Sequence, residues 1–257
     1  MNPIEPFANW NSRAMAHLLR ELIESVRVVC FDFDGPICKL FHVYSAEEIA
    51  DAMKRVIRRH GLSVNWREKD PHAIYRYAAA SWQNHPVFRE LDALLTRTEC
   101  LAALTAERTL LYRFFVEFLL KREKQTAITT NNSPKAVEVF SRRPDENSYP
   151  LFEGWIFGRT EETFDRMKPD PCILQTALET LHSAPKDALM IGNAVTDFQA
   201  AQRAGTAFLG YAQTDTEYVD LKKAGVSVII PSYTWVFQAF GVWYPSMLVL
   251  DDVEKYY

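Results

Sequence analysis

Three short apolar runs in this 257-residue chain end in polar groups suited to one reaction. The first is Val26-Arg27-Val28-Val29-Cys30-Phe31, which stops abruptly at Asp32-Phe33-Asp34-Gly35. In extended backbone, residues two apart point to the same side, so both carboxylates can face one pocket. Two carboxylates that close repel unless a cation or a shared proton lies between them. Hard oxygen ligands with an acid–base task point to Mg²⁺ and phosphoryl chemistry. Gly35 lets the chain turn sharply away. The second run, 125–130, ends in Thr129-Thr130-Asn131-Asn132-Ser133, where Thr130 could offer its hydroxyl and its N–H to a phosphoryl oxygen. The third, 188–192, runs into Gly192-Asn193-Ala194-Val195-Thr196-Asp197, with Asn193 and Asp197 placed to reach a metal. Lys168, in Met167-Lys168-Pro169-Asp170-Pro171, precedes a proline-initiated helix and could neutralise charge gathering on a nucleophile and phosphoryl group. Taken singly, each has an ordinary structural explanation: an Asp-Gly turn, a Thr-Asn helix cap, a solvated lysine. Their joint order is what turn and cap chemistry does not supply.

The elements that would position these groups follow from apolar periodicity. Residues 13–25 place Met15, Leu18, Leu19, Leu22 and Ile23 on one helical face. Strand patterns occur at 26–31, 125–130, 155–158, 188–192, 207–210 and 226–230, with helical stretches at 133–141, 170–182 and 195–204. Alternating short strands and helices predict a parallel sheet covered on both faces, a doubly wound α/β fold. Residues 40–118 are helical in pattern and interrupt it; Gly61 ends one helix there and Asp70-Pro71 begins another. The expected domains are therefore a core of 1–39 and 119–257 and an all-helical insert of 40–118. Within the insert, Lys54, Arg55, Arg58, Arg59 and His60 suit a solvated basic face. The insert also carries Trp66, Tyr75, Tyr77 and Trp82, and His85-Pro86 near Trp82 could line a pocket, although a packed histidine is the expected reading. The aromatic-rich segment after Gln238 is expected to pack on the core.

A formal net charge of −4 gives little help in holding polyanions, so no nucleic-acid partner is expected. Residues 1–10 lack a basic and an apolar region of signal-peptide type, and no run approaches about 18 apolar residues. Cys30, Cys38, Cys100 and Cys172 show no metal-like spacing, which fits free thiols in a reducing cytoplasm. A soluble cytoplasmic protein, monomer or homodimer, is expected, with no membrane partner.

The ordered set resembles the four motifs of the haloacid dehalogenase superfamily. VVCFDFDG is similar to its hhhhDxDG motif, AITTN to its hhh(S/T)N motif, Lys168-Pro169-Asp170-Pro171 to its KPxP lysine, and Gly192 to Asp197 to its GDxxxD motif. LKKAGVSVII resembles the closing helix–strand unit, so the likeness spans 26–40 and 120–238. It implies a Rossmann-like core with a helical cap inserted after the first motif, as in phosphoglycolate-phosphatase-like members. It also implies a Mg²⁺-dependent phosphatase acting on a small phosphorylated metabolite through an aspartyl-phosphate. In that reading Asp32 attacks phosphorus, and Asp34 protonates the leaving group and then activates water. Thr130 and Asn131 bind the phosphoryl group, and Lys168 steadies the nucleophile. Asp32, the carbonyl of Asp34, Asn193 and Asp197 hold the metal. Asp34 favours phosphoryl transfer over dehalogenation. Two residues depart from the pattern: Asn193 stands where the family carries aspartate, and Pro36 stiffens the exit into the cap. The same core would serve a phosphosugar mutase, and Asn193 leaves a catalytically weakened ligand-binding or assembly protein as a further alternative.

Overall fold

The computed structural model describes residues 13–62, 67–146, 148–152 and 154–242. The expectations for the amino-terminal ten residues, for Trp66 and for the tail beyond Val242 lie outside the described residues.

Six parallel strands form one sheet in the order β5-β4-β1-β6-β7-β8. They are β1 (Val28–Phe31), β4 (Gln125–Thr129), β5 (Ile156–Phe157), β6 (Ala188–Gly192), β7 (Ala207–Tyr211) and β8 (Ile229–Ile230). Each lies within a run expected to be a strand, apart from the one-residue extension of β7 to Tyr211. β1 is central and buried along its whole length, because helices cover both faces of a parallel sheet. Its alternate residues divide between two cores. Val29 and Phe31 join a cluster with residues of α1 (Arg13–Glu24), α5 (Tyr112–Leu120), α6 (Pro134–Ser141) and α10 (Thr234–Ala239). Val28 and Cys30 join the cluster on the other face with α7 (Cys172–Thr180) and α8 (Val195–Ala204). Of the face expected for α1, Leu19 and Ile23 are fully buried, whereas Leu18 is 48% exposed. Gly205 ends α8 in the left-handed conformation that glycine adopts readily.

The register aligns the polar strand ends. Phe31 pairs with Ile128 on one side and Ile191 on the other, so one step further Asp32 is level with Thr129 and Gly192. After β1 the chain builds β4 and β5 to one side, then β6, β7 and β8 to the other. β1 therefore stands at the switch point of the sheet, where open α/β folds bind ligands.

A third apolar cluster belongs to α2 (Ala46–Arg59), α3 (Pro71–Trp82) and the first half of α4 (Pro86–Thr105), with Met167. Asp70 caps α3 by accepting from the His72 N–H at 2.8 Å, with Pro71 in the first turn. Ala102 and Ala103, in the second half of α4, pack into the sheet core, as do Phe115, Val116 and Leu119 of α5. Where the chain leaves and re-enters the core, β2 (Cys38–Lys39) and β3 (Glu107–Arg108) pair antiparallel. Two residues per strand are too few to show a period of two, which is why this ribbon left no sequence signal. Phe240 and Val242 pack against the core, and no described helix is long and apolar enough to cross a membrane.

Candidate active site

Lys168 organises the carboxyl end of the sheet. Its Nζ donates to Asp32 Oδ1 at 2.8 Å and to the Thr129 carbonyl at 2.9 Å, and lies 2.6 Å from Asp197 Oδ1. An ammonium has three protons, so all three donors are matched to protein oxygens. The group is buried, and burial alone would push its pKa down. Asp197 and Asp32 outweigh that effect and hold it above the ordinary lysine value. The lysine's main chain is clamped as well. Asn131 Oδ1 accepts the Lys168 N–H at 2.8 Å, and Asn131 Nδ2 donates to the Lys168 carbonyl at 3.1 Å.

Asp197 occupies the first turn of α8, where its Oδ2 accepts the Ala194 N–H at 3.0 Å. Burial, and then the charge of Asp32, raise its carboxyl to about 6 against the pull of Lys168. Asp197 thus has one oxygen on Lys168 and the other on the backbone. A Cβ at Gly192 would come within 2.5 Å of the Asp197 carboxylate, so this approach requires glycine.

Asp34 follows β1 on the same side as Asp32, and its Oδ1 accepts the Leu40 N–H at 2.8 Å. Burial pushes its pKa up to about 7; the Leu40 hydrogen bond opposes this and the Asp32 charge adds to it. Gly35 then turns at φ 105°, and Asn193 lies against it: a Cβ there would be 2.6 Å from the Asn193 amide. The exit turn is pinned by Thr109 Oγ1 donating to the Gly35 carbonyl at 2.5 Å and Tyr233 donating to the Pro36 carbonyl at 3.0 Å.

Thr130 differs from its expectation. Its N–H closes the β4–β5 ladder on Phe157 at 2.9 Å, and its hydroxyl donates to Asn132 Oδ1 at 2.9 Å while accepting the Asn132 N–H. Both groups foreseen for a phosphoryl oxygen thus hold the loop. The main-chain N–H groups of Phe33, Asp34 and Asn131, by contrast, donate to no described residue.

Residues that sequence reasoning did not single out frame this centre. Glu99 of α4, fully buried, receives Arg159 Nη1 at 2.8 Å and Nη2 at 2.9 Å, the Ser133 N–H at 2.9 Å and His72 Nε2 at 3.1 Å. Burial raises its pKa, but Arg159 and His72 outweigh burial and hold the carboxyl at about 2. Arg159 Nη1 also donates to the Asn131 carbonyl at 2.9 Å. On α3, one turn apart, His72 bears electrostatically on Asp34, and Arg76 Nη1 lies 3.5 Å from the Lys168 carbonyl. The Glu99–Arg159 pair spans 60 residues and had no local signal. In the basic cluster at the end of α2, Arg59 and His60 pair with Glu90 and Lys54 with Asp51. His85 caps α4, accepting the Val87 N–H at 3.1 Å.

For a cation, no three His, Cys, Asp or Glu side chains converge among the described residues. Oxygens of mixed type at this centre receive no hydrogen bond from described residues, among them Asp32 Oδ2, the Asp34 carbonyl and Asn193 Oδ1. That donor set is hard and partly anionic, which suits Mg²⁺.

The chain matches the description "haloacid dehalogenase-like hydrolase" over residues 26–205. It belongs to that hydrolase family. A phosphoglycolate phosphatase of Pseudomonas putida is 25% identical over 199 residues, covering 72% of this chain and 68% of that protein. One of Aquifex aeolicus is 26% identical over 212 residues, covering 76% of this chain and 91% of the relative. Among solved structures, a family hydrolase of Deinococcus radiodurans with bound phosphate and sodium superposes with a TM-score of 0.56. It is 19% identical, and the match covers 84% of this chain and 96% of that one, which establishes a shared fold.

Proposed function

We propose that this hydrolase is a Mg²⁺-dependent phosphoric monoester hydrolase acting on a small phosphorylated metabolite. The observation that carries the reading is the buried Lys168 ammonium fixed on Asp32 Oδ1, which holds that carboxylate in place at the carboxyl end of the sheet as the nucleophile. Asp32 attacks phosphorus, the bond to the ester oxygen breaks, and Asp34 delivers its proton to that oxygen. With its pKa pushed to about 7, Asp34 holds a proton in a substantial fraction of molecules at neutral pH. The carboxylate it becomes takes a proton from water, which attacks phosphorus and releases phosphate from Asp32. The N–H groups of Phe33, Asp34 and Asn131 are the donors for the phosphoryl oxygens, with Thr130 shaping the loop that carries the last. Asp32, the Asp34 carbonyl and Asn193 would hold Mg²⁺, and Asp197 would orient Lys168. When bound, Mg²⁺ neutralises charge on the transferring oxygens.

The cap in this reading is the α2–α4 unit, with the β2–β3 ribbon as its boundary and α5 assigned to the core. His72 and Arg76 would face the rest of the substrate, favouring metabolites with a second anionic group. The names of the two phosphatase relatives support this class, and the four free thiols support a reducing, cytoplasmic location. A panel of phosphate esters with Mg²⁺ tests the proposal. Phosphate release that EDTA stops is expected, whereas inertness of the pure protein across the panel would reject it.

A further inference from the structure

We propose that Glu217 is a positioning residue for the cation-binding amide of Asn193, and that the two act as one unit; this rests on the metal-site reading above. Asn193 Nδ2 donates to Glu217 Oε1 at 2.8 Å. A carboxylate can only accept, so the amide must present its nitrogen to Glu217, and Oδ1 is left unpaired beside the Asp34-Gly35 turn. Glu217 is itself held. Its Oε2 accepts the Gln213 and Thr214 N–H groups at 2.9 Å and the Thr214 hydroxyl at 3.0 Å, at the start of α9 (Asp215–Ala224). It therefore cannot follow a displaced partner. Glu217 is also close enough to add to the raised pKa of Asp34, so its negative charge is felt at the centre. The charge that an aspartate at 193 would bring is thus already supplied by Glu217, one residue farther from the cation.

Asn193→Asp should therefore weaken the cation site, although it adds a negative charge. An aspartate would set two carboxylates face to face across a 2.8 Å contact, with no proton donor between them. Replacing both partners, N193D/E217Q, restores a donor: the glutamine amide gives its proton to the new carboxylate, which still offers an oxygen to the cation.

The test is Mn²⁺ binding to the intact protein, followed by electron paramagnetic resonance and calorimetry, with no substrate present. Glu217→Gln and Asn193→Asp are each expected to weaken Mn²⁺ by about 10-fold or more, the range for a lost partner of a metal ligand. The double variant N193D/E217Q should return to within about 3-fold of wild type, a non-additive recovery. Asp215→Asn alters the first turn of α9 without touching Glu217 or Asn193 and should leave Mn²⁺ affinity unchanged. Tighter binding by Asn193→Asp alone, equal weakening by Asp215→Asn, or no Mn²⁺ binding by wild type would each overturn the proposal. Mn²⁺ binding with this mutational pattern in a protein inert toward phosphate esters would leave it standing and reject the phosphatase reading instead.

Discussion

Lys168 places a fixed positive charge between Asp32 and Asp197, and its removal separates a catalytic from a structural contribution. Lys168→Met keeps the volume and deletes the charge. We expect phosphate release to fall by at least about 100-fold, the usual cost of one preorganised donor to a developing anion. Stability should fall by roughly 3–5 kcal/mol, because two buried carboxylates lose their counter-ion. Activity within a few-fold of wild type would contradict the assigned role. Thr130→Val should leave two groups of Asn132 unpaired, costing about 1–3 kcal/mol in urea unfolding. At this scale the sequence located Asp32 and Asp34 beyond the end of β1 and Lys168 in the segment before a helix, and the fold brings Lys168 onto Asp32. Thr130 was foreseen in place but not in direction, since a hydroxyl's partner depends on the loop's three-dimensional path. Glu217 was invisible as a partner of Asn193: Thr214-x-x-Glu217 announces a capping box, which is present, but not a contact 24 residues away.

Among the elements, α4 joins the two parts of the molecule: its first half packs with α2 and α3, its second against the sheet core. Glu99 sits at that junction, bound to Arg159 and to the loop that carries Asn131. Because its carboxyl is held at about 2, below the ordinary carboxylate value, Glu99 contributes stability that is fully present above the unfolded value. That contribution is lost as pH falls from about 5 toward about 2, and it amounts to roughly 3 kcal/mol. Urea unfolding across that window should show the loss in wild type and a flatter profile in Glu99→Gln. The same profile in both proteins would refute the assignment. The six strands were legible because buried parallel strands are continuous apolar runs between turn signals. The helix α9 was recognised through its family-like sequence rather than through its periodicity, and the packing of α5 on the sheet was not legible, since an apolar helix carries no label for the surface it covers.

For the whole molecule, the fold brings the α3 side chains His72 and Arg76 to the carboxyl end of the sheet, where the proposed function would have them meet substrate. Arg76→Ala should raise KM for a phosphate ester with a second anionic group while changing kcat little, and should not affect a neutral aryl phosphate. Equal effects on both would remove Arg76 from recognition. The activity outcomes presuppose that Asp32 carries the phosphoryl group. Acid-quenched mixtures of protein, Mg²⁺ and a turned-over ester, digested and mapped by mass spectrometry, test that directly. One phosphoryl group on the peptide containing Asp32, absent in Asp32→Asn, is the result predicted; phosphate release with no modified peptide at any quench time, or full turnover by Asp32→Asn, would contradict it.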